Sequence, residues 1–112
     1  MPSPPLAPND GPIDLAHLQR MTLGDASLER EVLAMFAAQT AGLMGELSSL
    51  PANVGELAHK LKGSARAIGA LRVADAAEWL ETAGPDAAQA LMALDEAVAE
   101  ARTAIDGILK RS

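Results

Sequence analysis

Toward the end of the chain the apolar residues Leu91, Leu94, Val98, Ala101, Ile105 and Ile108 recur at alternating gaps of three and four. That spacing lays one stripe along a helix and predicts a helix over about 86–110 that buries a single seam. Upstream, Leu28, Val32, Met35, Phe36, Leu43, Leu47 and Leu50 keep helical spacing. They predict a helix of about 24 residues, capped by Asp25 or Ser27 and ended by Pro51. Gln39 is expected on or near its buried stripe, as a hydrogen-bonded core amide. Between these two lie a pair of further helices. One opens at Asn53-Val54-Gly55-Glu56, which has the pattern of a capping box, and runs to Ile68 or Ala70. The other covers 71–83, with Val73, Ala76, Ala77 and Leu80 for the core and Trp79 at its side. Gly84-Pro85-Asp86 then stops one helix and starts the next.

Before them, Ile13, Leu15, Leu18 and Met21 give an apolar edge to a short helix over 13–22, closed by Gly24. His17 falls there and is read as a packing or solvent-facing residue. Residues 1–12 are rich in proline and turn formers and read as a flexible lead-in. The expected fold class is therefore all-α: an antiparallel up-and-down four-helix bundle over 13–110 with a short N-terminal helix, since short loops favour antiparallel neighbours.

Composition narrows the function classes. With 112 residues the chain has room for one domain and none for a second lobe closing over a nucleotide. Aromatics are 2% of residues, so Leu, Ile, Val, Met and Ala must build the core, which suits helices. Cysteine is absent, which removes disulfides and thiolate metal sites. A net charge of −6 argues against general nucleic-acid binding. No apolar run has the length of a membrane span, and the N-terminus lacks the basic and apolar regions of a signal peptide. A cytoplasmic protein is expected, and the Met1 start and Lys110-Arg111-Ser112 end read as a whole chain.

One stretch resists a pure packing explanation. Ala58-His59-Lys60-Leu61-Lys62-Gly63-Ser64-Ala65 combines a histidine, two lysines and a helix-interior glycine. At ~100° per residue, Leu57, Leu61, Ser64, Ile68 and Leu71 gather on one side of the helix. His59, Lys62, Gly63, Arg66 and Ala70 gather on the other, so His59 is not placed as a core histidine. Lys62, three residues on, can bring its ammonium to an anion on the imidazole. Gly63, four residues on, costs the helix about 1 kcal/mol relative to Ala. Its bareness lets another protein approach the ring. Lys60, Lys62, Arg66 and Arg72 make 59–72 basic with no acid among them, in an acidic chain. That patch suits an anionic group or an acidic partner, though a solvated helix face looks the same.

These residues, with Ile68-Gly69-Ala70 behind them, resemble the signature of histidine-containing phosphotransfer (HPt) domains. The Phe36 region and Leu80-Glu81 resemble the family's flanking helices. The resemblance implies a phosphorelay intermediate. His59 would accept a phosphoryl group from a receiver-domain phospho-aspartate or a sensor (hybrid) histidine kinase and pass it to a response-regulator receiver. Lys62 would be the charge partner, and Glu81, on the next helix, would hold the far ring N–H. Gly63, Lys60, Arg66 and Ala70 would form the docking face. It also implies a carrier rather than an enzyme with kinase activity of its own, and no resident cofactor, since the receiver supplies Mg²⁺. A monomer is expected from the five-helix length. Two other classes compete. Glu56-Leu57-Ala58-His59 is formally a Glu-x-x-His metal motif, but a di-metal bundle needs a second copy that the sequence lacks. The other is a non-catalytic bundle that docks onto a kinase or receiver without phosphotransfer.

Overall fold

The computed structural model describes residues 11–110. The first ten residues of the expected lead-in lie outside the described range. The described residues form five α-helices and a short 3₁₀ turn joined by short loops, with no strand among them. They are α1 (Leu15–Met21), α2 (Ala26–Leu47), α3 (Val54–Ile68), α4 (Leu71–Thr82) and α5 (Ala87–Leu109). The four longer helices close a ring: α2 packs on α3 and α5, and α4 packs on α3 and α5. The most extensive pairing is α3 with α4, and α1 leans on α3.

Each helix boundary has a local cause. Asp14 and Asp25 cap α1 and α2, their carboxylates accepting from the amides of His17 and Leu28 at 3.1 Å. α2 stops at Leu47, short of the expected end. Leu50, the residue before Pro51, has already left the helix, at φ +48°, and the proline ring disfavours a right-handed helical conformation for its predecessor. The expected capping box at α3 does not form. Asn53 makes no side-chain cap bond; instead a turn in which Val54 N–H donates to the Pro51 carbonyl at 3.0 Å leads into the helix. Glu56 is left as an exposed acid in the first turn, where the helix dipole favours it. α3 ends at Gly69, whose φ of +85° turns the chain out of the helix.

The core is drawn from every helix: Leu18, Leu33, Phe36, Leu43, Leu47, Leu61, Ile68, Val73, Leu80, Leu94, Val98 and Ile105 are all buried. On α2 the buried face is turned from the expected one. Leu33, Phe36, Thr40, Leu43 and Leu47 point inward, while Leu28 and Met35 are exposed. Gln39 is exposed and is not the core amide expected; its neighbour Thr40 is buried in its place. On α3 and α4 the inward positions include Ala58, Ala65, Ala74 and Ala77. Ser64, expected inside, is only half-buried, and Leu71 and Trp79 are exposed.

The start of α1 is latched to the end of α3. Asp14 N–H donates to the Gly69 carbonyl at 2.8 Å, and His17 Nε2 lies 3.0 Å from the Ala67 carbonyl. A carbonyl only accepts, so Nε2 carries the proton there. His17, half-buried, thus serves the fold by holding α1 to α3. Gly69 does more than end a helix: a Cβ at this position would lie 2.9 Å from the Asp14 carbonyl oxygen.

Candidate functional site

His59 projects from the outer side of α3, between the buried positions Ala58 and Leu61 and the open position Gly63. Its side chain is 69% exposed. Close packing of α3 on α4 brings Glu81 beneath it. His59 Nδ1 lies 2.6 Å from Glu81 Oε2, and Lys62 Nζ donates to Glu81 Oε1, also at 2.6 Å. One carboxylate therefore ties a histidine and a lysine one helical turn apart. Exposure differs sharply along this chain of contacts: Glu81 is 22% exposed and Lys62 14%.

The electrostatics fix the proton. Lys62's hydrogen bond holds the Glu81 carboxyl below its usual range; partial burial opposes this, and the His59 contact adds to it. Glu81 is thus a carboxylate near neutral pH, and a carboxylate only accepts hydrogen bonds. The proton between the two groups is on His59 Nδ1. In the neutral ring the lone pair is then on Nε2.

The surroundings leave the ring exposed. A Cβ at Gly63 would meet nothing within 4 Å. Lys60 and Arg66 are exposed on the same helix. Arg66 forms a loose pair with Glu78 of α4 at 3.4 Å, a second rung parallel to Lys62–Glu81. Arg72 points elsewhere and pairs with Glu100 of α5 at 2.9 Å. Ala70 does not belong to this face. It is fully buried at the tight turn between α3 and α4, its amide donating to the Ala65 carbonyl at 2.8 Å, so it offers no surface for docking. The helical projection misplaced it because the helix ends at Gly69 and the 100° rule with it.

The sequence patch thus resolves into a contact triad of His59, Glu81 and Lys62, with Gly63, Lys60 and Arg66 around it. A family model, Hpt domain, matches residues 31–109. The chain belongs to the Hpt domain family. No curated protein and no solved structure matches it. Membership in the Hpt family brings histidine phosphotransfer within two-component signalling, and with it interaction with kinase and receiver domains. Among the described residues no helix is long and apolar enough to cross a membrane.

Two features of this Hpt domain were not read from the sequence. Glu78 faces Arg66 only because α4 returns alongside α3, a pairing that no local pattern announces. A shallow groove of about 230 Å³ runs along the α2 side of α3, lined by Met21, Met35, Phe36, Ser64 and Ala67 among others. Met35, whose place in the helical stripe points to the core, is instead 71% exposed among the residues lining the groove. The signal available was the pair of small residues Ser64 and Ala67 on one flank of α3.

Proposed function

We propose that this Hpt domain is a phosphorelay intermediate in which His59 is the residue phosphorylated. The observation that carries the reading is the tie from His59 Nδ1 to Glu81, which leaves Nε2 as the only ring nitrogen with a free lone pair, on an exposed face beside a bare glycine. A neutral imidazole nitrogen is a competent nucleophile near neutral pH. Nε2 attacks the phosphorus of a receiver's phospho-aspartate; the P–O bond to that carboxylate breaks as the N–P bond forms. Onward transfer is the same exchange with a second receiver. Gly63 gives the clearance for in-line approach, and Lys60 and Arg66 meet the receiver's acidic pocket. The receiver brings the Mg²⁺, so the carrier needs no metal of its own and no kinase activity. The partners are response-regulator receivers and a sensor (hybrid) kinase, and the carrier works in the cytoplasm as a monomer. We read the ring of long helices as an antiparallel up-and-down bundle, because the connections between them are short.

Incubation with a phosphorylated receiver should label wild-type protein with acid-labile, base-stable phosphate. His59→Gln should abolish labelling and leave helicity intact. Labelling that survives in this variant would disprove the assignment. A docking protein without transfer would bind the receiver and take no label. The triad argues for transfer, since docking alone gives no reason to fix the tautomer of an exposed histidine.

A further inference from the structure

Lys62 already has a carboxylate partner. Its ammonium sits on the Nδ1 side of His59, nearly buried, bonded to Glu81 Oε1. The nitrogen free to carry a phosphoryl group is Nε2, on the other side of the ring. Lys62 therefore acts on the ring through Glu81. Among the described residues, no other ionic side chain pairs with His59: Glu56 and Lys60 are its exposed neighbours on α3, Arg66 and Glu78 pair with each other, and the α2 acids and Arg30 make no ion pair with it.

We infer that Glu81 and Lys62 set, in opposite directions, how long a phosphoryl group stays on His59, a step that rests on the reading of His59 as the acceptor. After Nε2 is phosphorylated the ring still bears hydrogen on Nδ1 and is a cation. When a receiver carboxylate oxygen attacks the phosphorus, an O–P bond forms and the N–P bond breaks. Its electron pair returns to Nε2, and the ring leaves as neutral imidazole with its Nδ1 hydrogen in place. If the Nδ1 proton has gone first, the same step must expel an imidazolate anion, a far poorer leaving group. Whatever holds the Nδ1 proton keeps the N–P bond labile. The Glu81 carboxylate, 2.6 Å away, holds it by charge as well as by hydrogen bonding. Lys62 draws on the same carboxylate and weakens that hold. The pair is a tuned carrier: Glu81 makes the group transferable, and Lys62 restrains its loss.

The test uses the full chain phosphorylated chemically with phosphoramidate, so that labelling does not depend on docking, and follows the decay of phospho-His59 by ³¹P NMR against pH. Glu81→Gln keeps an acceptor for Nδ1–H and removes the charge. Its phospho-form should outlast wild type by about tenfold near neutral pH, the size of effect a contacting charge has on a proton equilibrium. Lys62→Met should decay severalfold faster than wild type. The pH above which decay slows should move down in the Gln variant and up in the Met variant. A purely structural role for the two residues would shift both half-lives the same way. Equal half-lives, or two shifts of one sign, would overturn this inference and leave His59 as the acceptor. Failure of wild type to label at His59, with labelling elsewhere, would instead overturn the acceptor assignment and this inference with it. If circular dichroism shows that Glu81→Gln has unfolded, Lys62→Met decides alone: faster decay supports the inference, and equal or slower decay refutes it.

Discussion

Replacing Gly63 should make the protein more stable and worse at its task. Gly63 lies in the middle of α3, is exposed, and has helical backbone geometry, with no positive φ to favour glycine. A Cβ there has open space for at least 4 Å in the isolated protein. Nothing in the fold asks for glycine. Gly63→Ala should therefore recover the full helix-propensity difference, about 1 kcal/mol, and Gly63→Gln somewhat more than half of it. For a domain of this size about 1 kcal/mol corresponds to a rise of roughly 4–8 °C in Tm. Both numbers are readable from thermal denaturation followed by circular dichroism. The functional effect has the opposite sign. If a receiver packs against this face, the Gln side chain must be accommodated in a close-fitting contact. Overpacking of that kind costs about 1–3 kcal/mol, which is about five- to 150-fold in the second-order rate of phosphotransfer. Alanine should fall between Gln and wild type. A Gln variant that is stabilised and transfers at the wild-type rate would refute the clearance argument. A Gln or Ala variant that is destabilised would refute the claim that the glycine serves nothing in the fold.

Other substitutions read different parts of the structure. Thr40 Oγ1 is buried with no hydrogen-bond partner; Thr40→Val, which exchanges the hydroxyl for a methyl, should stabilise the domain by about 1 kcal/mol, seen as a higher urea midpoint at unchanged m-value. Gly69→Ala should do the reverse of Gly63→Ala. The left-handed conformation costs a non-glycine residue about 1–2 kcal/mol, and the new Cβ presses on the Asp14 backbone, so a loss of about 2 kcal/mol or more is expected in the same urea titration. Acid should weaken the His59–Glu81–Lys62 triad. Glu81's folded pKa lies below its unfolded one, so its contribution is complete above the ordinary carboxylate range near ~4.3 and is lost as pH falls through the lowered value. Tm measured against pH should therefore fall less steeply at the acid end in Glu81→Gln than in wild type; parallel curves would show that the triad adds nothing to stability.

The helix order and the reactive face were legible because both depend on local spacing. Of the six seam residues that the gaps along α5 pick out, Leu94, Val98, Ala101 and Ile105 are buried, while Leu91 and Ile108 at the two ends are half-buried. The failures share a physical origin. α2 carries apolar residues around much of its circumference, so periodicity alone did not choose between Met35 and Leu33, nor between Gln39 and Thr40; the neighbouring helices made that choice. On α3 the eye follows Leu57 and Leu61, but the fully buried positions include Ala58 and Ala65 beside Leu61, and their small apolar surface gives little signal in the sequence. Ala70 was assigned by extending the helix one residue past its glycine.

Those alanines bear directly on the chemistry. Glu81 is 22 residues from His59 in sequence, and its carboxylate meets the imidazole only if α4 lies close to α3. Ala58 and Ala65 on α3, and Ala74 and Ala77 on α4, line the buried faces of the two helices that share the most extensive contact. Interaxial distance follows the size of the side chains at the contact. Larger residues there would hold the helices apart, and a glutamate side chain spans only a few ångströms. The turn at Gly69-Ala70 then fixes where along α3 the returning helix begins, and so sets Glu81 opposite both His59 and Lys62. The small residues that seem to be filler in the sequence are what allow an exposed histidine to be held by a partner from another helix while its outer nitrogen stays open.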